Sequence, residues 1–150
     1  MEQIIQLNSG AKLSPHFTLG EMTTSNHKEV YNIPSHEAIA NLKRLCGWLE
    51  VLRERSGGPV RINSGYRSPQ LNRKIGGAPT SNHLTGCACD IRVAGMEQAI
   101  RYAAILLDYS QESNQDFDEL LIEKNRYGAI WVHFAVRPSN NRRKVLFINA

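Results

Sequence analysis

Residues 129–136, Ala129-Ile130-Trp131-Val132-His133-Phe134-Ala135-Val136, set the hardest condition on any fold this chain adopts. The run is apolar except at His133. Read as a strand, it places Trp131, His133 and Ala135 on one face and Val132, Phe134 and Val136 on the other. A polar ring on one face of such an apolar strand needs a partner, because an unpaired polar group removed from water is costly. A hydrogen-bonding neighbour or a metal ion can meet that need.

The second chemistry-bearing stretch is residues 64–90. It contains Ser64-Gly65-Tyr66-Arg67-Ser68-Pro69, then Gly76-Gly77-Ala78, then Ser81-Asn82-His83-Leu84-Thr85-Gly86-Cys87-Ala88-Cys89-Asp90. The spacing of His83 and Asp90 is wrong for the His-Glu-x-x-His helix of many zinc proteases. Gly86 permits a tight turn between them, so a ligand on a loop and a ligand on the following strand can converge. Two histidines and one carboxylate form a ligand set of a catalytic zinc that keeps one position open. If His83, Asp90 and His133 meet, the chain is a metallohydrolase. Spacing alone also allows a hydrogen-bonded core histidine at 133, a turn-capping Asp90 and a surface His83.

The rest of the chain reads as a framework for these stretches. The start is irregular or extended up to Phe17. Thr18-Leu19-Gly20-Glu21 matches a capping box and opens a short helix. A long helix begins at Pro34-Ser35, with Ile39, Leu42, Leu45, Cys46, Leu49 and Leu52 at helical spacing, and ends at Gly57-Gly58-Pro59. Residues 60–64 alternate as a strand. Ser68-Pro69 is an N-cap followed by Pro at the first helical position, opening a short helix that stops at Gly76-Gly77. Residues 88–93 form a strand. Residues 96–109 form a helix with Ala99, Ile100, Ala103, Ile105, Leu106 and Leu107 mostly buried. Strands at 118–123 and 129–136 flank Asn125 and Gly128 as a hairpin, and residues 144–148 form the last strand. This order reads as α+β, with a mostly antiparallel sheet and helices packed on one side.

Bulk properties narrow the class. At 150 residues, one domain spanning 1–150 is the expected count. No apolar run approaches the roughly 20 residues needed to cross a bilayer, so no membrane span is expected. Met1 to Leu7 lack the basic and long apolar regions of a signal peptide. Cys46, Cys87 and Cys89 cannot all pair internally, which favours free thiols in a reducing compartment. The net charge of +4 suits an anionic surface such as nucleic acid or bacterial wall polymer. With no RNA-reading aromatic motif and no zinc-finger spacing, no nucleic-acid partner is expected. Arg137, Arg142, Arg143 and Lys144 read as a solvated loop before the last strand.

Taken together, Ser64-Gly65-Tyr66-Arg67-Ser68-Pro69, Leu71-Asn72, Gly76-Gly77-Ala78, Ser81-x-His83-x-x-Gly86-x-Ala88-x-Asp90-Ile91 and Trp131-Val132-His133 resemble the zinc D-alanyl-D-alanine carboxypeptidase family of metallopeptidases. That family includes peptidoglycan endopeptidases and phage endolysins. The likeness extends to Phe17-Thr18-Leu19-Gly20-Glu21 and Asn32-Ile33-Pro34, and is closest to compact, single-domain members. It implies the family's fold, a zinc ion held by His83, Asp90 and His133, and a peptidoglycan or muropeptide substrate. It also implies Arg67 as a contact to a carboxylate or polarised carbonyl, a role that suits a planar guanidinium. With no signal peptide seen, the expectation is synthesis in the cytoplasm and action on the wall as a phage or prophage lysis protein released by a partner, or export by another route.

One departure stands out. Family members often carry an acidic residue shortly before the last histidine, whereas Ile130, Trp131 and Val132 occupy those positions here. Zinc hydrolysis needs a proton acceptor and donor. The nearest acidic residues are Asp116, Asp118, Glu119 and Glu123. A hairpin can bring Glu123 beside the site, and Glu123 is the base expected here. The alternative is a metal-containing wall-binding module without a competent base.

Overall fold

The computed structural model describes residues 8–149. The first seven residues of the expected irregular start lie outside this range. From Asn8 onward, the start holds a short ribbon of β1 (Lys12–Ser14) and β2 (Phe17–Thr18). Helix α1 (Leu19–Met22) follows, closed by the expected capping box: Thr18 Oγ1 accepts from the Glu21 amide, and Glu21 accepts from the Thr18 amide. Helix α2 (His36–Ser56) starts at the Ser35 cap and buries Leu42, Leu45, Cys46, Trp48, Leu49 and Leu52.

The remaining elements are β3 (Ile62–Ser64), α3 (Pro69–Lys74), a 3-10 turn (Asn82–Thr85), β4 (Ala88–Arg92), α4 (Met96–Ser113), β5 (Glu119–Lys124), β6 (Ile130–Ala135) and β7 (Lys144–Asn149). Helix α4 runs four residues beyond its expected end at Tyr109, because no breaker precedes Asn114, which turns left-handed at φ 60°. Its buried stripe is Ala99, Tyr102, Leu106 and Ser110. Ile100 was expected to be buried but is 52% exposed, since it sits beside that stripe and points outward.

The larger sheet has the order β3-β4-β6-β5-β7, antiparallel throughout except where β7 lies parallel to β5. The chain is therefore α+β with a mostly antiparallel sheet. Residues Asn125 and Gly128 close the expected β5–β6 hairpin. Strand parity gives the sheet two different faces. Cys89, Ile91, Leu120, Ile122, Val132 and Phe134 share one core with the buried residues of α2 and α4. At its centre Trp48 packs on Phe134 and Phe117, with ring centroids 5.2 and 6.3 Å away. Burying each large apolar side chain here contributes about 1.5–3 kcal/mol. The opposite face carries Asp90, Glu119, Leu121, Glu123, Trp131 and His133, and these line a cavity.

Cys46, Cys87 and Cys89 are free and buried, consistent with small core residues. Cys89 lies on the face opposite Asp90, and burial pushes the Cys46 thiol up to about 12. No helix among the described residues is long and apolar enough to cross a membrane.

Candidate metal centre and active site

The loop from β3 to α3 is held from both sides. At Gly65 a Cβ would stand 2.3 Å from the Met22 carbonyl oxygen, so only glycine allows this approach. The Tyr66 amide donates to that same oxygen at 2.8 Å. Asn32 clamps the loop further, donating to the carbonyls of Thr23 and Tyr66 and accepting from the Ser68 amide. Ser68 then caps α3. The Arg67 amide donates to the His83 carbonyl at 3.0 Å, which joins this loop to the 3-10 turn. Ser81 caps that turn by accepting from the His83 amide at 3.1 Å.

His83, Asp90 and His133 converge: one ligand atom from each lies within 4.8 Å of the others. Asp90 and His133 sit directly opposite each other on β4 and β6. Asp90 Oδ1 is 3.0 Å from His133 Nδ1 and 3.4 Å from His83 Nε2.

Hydrogen bonds decide which ring nitrogens are bare. His83 Nδ1 donates to the Gly65 carbonyl at 2.6 Å, because a carbonyl can only accept. Its Nε2 is therefore a lone pair; it is buried and has no hydrogen-bond partner. His133 Nε2 donates to Glu119 Oε1 at 2.8 Å, which turns Nδ1 toward Asp90. Outer partners of this kind set tautomer and ring orientation at metal centres. Two imidazole nitrogens and a carboxylate oxygen facing one point, one of them an orphaned buried atom, fit a divalent cation of the zinc type.

The charges agree with that fit. Burial works against a charge on His133, yet its hydrogen bonds to Asp90 and Glu119 raise its pKa to about 9. Without a cation, an imidazolium thus bridges two carboxylates. Burial also works against Asp90, but both histidines hold it well below the usual carboxylate range. The His133 hydrogen bond lowers Glu119.

Glu123 behaves differently. Burial raises its pKa, and Asp90 adds to that. Its carboxylate accepts from Trp131 Nε1 at 2.5 Å, from the residue paired with it across the hairpin. Glu123 and Glu119 lie two positions either side of Leu121, which is paired with His133, so both share the site's face.

Arg67 reaches the same cavity, of about 580 Å³. Its Nε is buried without a partner, and burial lowers its pKa while Asp90 and Glu123 oppose that. A Cβ at Gly77 would lie 2.1 Å from Asn72 Oδ1 and 2.9 Å from Arg67 Nη1, which explains the glycine beside this guanidinium.

The family model described as peptidase M15 matches residues 15–126, about three quarters of the chain. The chain belongs to the peptidase M15 family. This is a zinc-dependent family of metallopeptidases, hydrolases of peptide bonds. The M15 match takes in Arg67, His83, Asp90, Glu119 and Glu123; His133 lies beyond its end and is tied to the M15 segment by strand pairing with Asp90. No curated protein matches the chain.

Sequence reasoning placed Arg67, His83, Asp90, Glu123 and His133 as site residues, and all five line one cavity. It gave no role to Asn82, and Glu119 was only one of several acidic candidates. The available signal was parity, since Glu119 shares a strand face with Glu123. The C-terminal basic residues differ from expectation. Arg142 does not simply face solvent: its Nε and Nη2 bind the fully buried Asp118 at 3.0 and 2.8 Å, and Arg137 and Lys144 join it in the cavity wall.

Proposed function

We propose that this M15 peptidase hydrolyses peptide bonds next to D-amino acids in peptidoglycan stem peptides, as a D-alanyl-D-alanine carboxypeptidase or an endolysin-type endopeptidase. The carrying observation is that the unpaired His83 Nε2, His133 Nδ1 and the Asp90 carboxylate face one point, with Glu123 on the same sheet face. In this reading His83, Asp90 and His133 hold zinc. When bound, zinc activates water near neutral pH and polarises a carbonyl.

The chain's own residues supply the rest. Glu123 takes the proton of the attacking water and passes it to the leaving amine. Its raised pKa brings it closer to the neutral range in which a carboxyl group can do both. Trp131 holds one Glu123 oxygen, leaving the other to work. Arg67 keeps its charge at any working pH and orients a substrate carboxylate or carbonyl with its open fork. Glu119 accepts from His133 Nε2 and so keeps Nδ1 turned toward Asp90.

The test uses purified protein with one equivalent of zinc and defined muropeptides, followed by mass spectrometry. Free D-alanine identifies carboxypeptidase action, and a split crosslink identifies endopeptidase action. Glu123→Gln is expected to keep stoichiometric zinc and lose at least about 100-fold in kcat, in line with loss of a general acid–base. Turnover that survives this substitution rejects Glu123 as the base. A zinc-loaded wild type that binds muropeptides without cutting them turns the reading to a wall-binding module.

A further inference from the structure

The loop between β6 and β7 is braced more firmly than a surface connection requires. The Arg137 amide donates to Asn141 Oδ1 at 2.8 Å, and Asn141 Nδ2 donates back to the Arg137 carbonyl at 3.0 Å. The Arg142 amide and side chain both donate to Asp118. This carries Arg137 to the cavity wall, where its Nε donates to Asn82 Oδ1 at 3.0 Å and lies 3.2 Å from Asp118 Oδ2. Its Nη1 and Nη2 make no hydrogen bond among the described residues, and the side chain is 32% exposed. Lys144 opens β7 beside Glu119, lines the same wall, and has no ion pair among the described residues.

The cationic donors on this wall outnumber their partners. Arg137, Arg142 and Lys144 stand beside Asp118 and Glu119. Asp118 is engaged by Arg142, Arg137 and Asn82, and Glu119 by His133, Asn82 and Arg142. The Arg137 Nη1 and Nη2 donors and the Lys144 ammonium are left without partners among the described residues, on a support that is already fixed. Arg67 follows β3, and Lys144 opens β7. Arg137 follows β6, which lies two strand spacings or roughly 10 Å from β3 with β4 between them, and β7 is the far edge of the sheet. Asp90, a proposed zinc ligand, is on β4, between the strands that lead into Arg67 and Arg137.

From this we infer that Arg137, with Lys144 beside it, is a second anion subsite, and that the preferred substrate is an extended peptide bearing a carboxylate on each side of the bond that is cut. The inference rests on the peptidase reading. The outer edge of the Arg137 guanidinium offers a carboxylate two parallel N–H donors. Because Asn82 already holds Nε, little side-chain freedom is lost on binding.

The probe is a stem-type pentapeptide with a free C-terminus and its glutamyl carboxylate either free or amidated. Both forms are tested against the zinc-loaded enzyme for kcat and KM, and for Kd by calorimetry. The free-carboxylate form is expected to be favoured roughly 10- to 100-fold, the value of a lost charge-assisted hydrogen bond, and in KM rather than kcat. Arg137→Gln abolishes the preference and Arg137→Lys restores part of it. Lys144→Gln, which disturbs no buried contact, reduces it. Equal handling of the two peptides by the wild type, or a preference untouched by Arg137→Gln in a protein that still melts cooperatively, overturns the subsite. The two readings fail separately. A preference in Kd without turnover removes the peptidase and leaves the subsite, and turnover without preference does the reverse.

Discussion

At the scale of single residues, the site depends on groups that never touch the proposed metal. The Gly65 carbonyl selects the His83 tautomer, and Glu119 fixes the orientation of the His133 ring. Glu119→Ala is expected to weaken zinc binding about 10- to 100-fold, the usual cost of losing such a partner, while the far-ultraviolet circular dichroism stays unchanged. Competition against a chromophoric chelator reads the affinity. Gly65→Ala drives a methyl against the Met22 carbonyl and should lose about 1–3 kcal/mol of stability as well as affinity. Unchanged affinity in both variants would break the link between tautomer and metal.

At the scale of elements, β7 and the loop before it are anchored through one buried carboxylate. Burial works against the charge on Asp118, but Arg142, Asn82 and Arg137 outweigh it and lower its pKa to about 2. A depressed carboxylate stabilises the fold fully above its unfolded pKa, near 3.9, and that contribution fades as pH falls through about 2. The magnitude is about 2 kcal/mol. Urea titrations at pH 6 and pH 3 should therefore show a larger acid loss in the wild type than in Asp118→Asn. The variant should be the less stable at pH 6, because it leaves two arginines without their buried partner. Equal acid slopes would contradict this anchor.

At the scale of the whole molecule, the proposed ligands come from the 3-10 turn, β4 and β6, so a bound ion ties the loop layer to the sheet. Zinc at 1,000 times its Kd should add about 4 kcal/mol, or roughly 8–16 °C in Tm for a chain of this size. His133→Ala should remove the shift. Binding must also displace the proton that His133 keeps up to about pH 9. About one proton should be released per zinc at neutral pH, and affinity should fall about tenfold for each pH unit below 9. An indicator-dye titration at low buffer concentration measures this release, and its absence would show that His133 is already neutral.

Local chemistry was legible in the amino-acid sequence. Caps at Thr18, Ser35 and Ser68, the periodicity of α2, the hairpin around Asn125 and Gly128, and strand parity at Trp131, His133 and Ala135 all follow from interactions among near neighbours in the chain. Residue types and spacing raised His83, Asp90 and His133 as a possible set, and the family resemblance implied them as zinc ligands, with Arg67 as a substrate contact. What parity could not supply was strand order. The pairing of β4 with β6 puts Asp90 opposite His133, and the pairing of β5 with β7 sets Glu119 beside Lys144. Both join residues tens of positions apart in the chain. Such contacts are chosen by burial of a shared core, and no local rule contains them. For that reason the residue types were readable in advance, while the bare His83 Nε2, the Glu119 partner and the unpaired Arg137 donors came only with the tertiary structure.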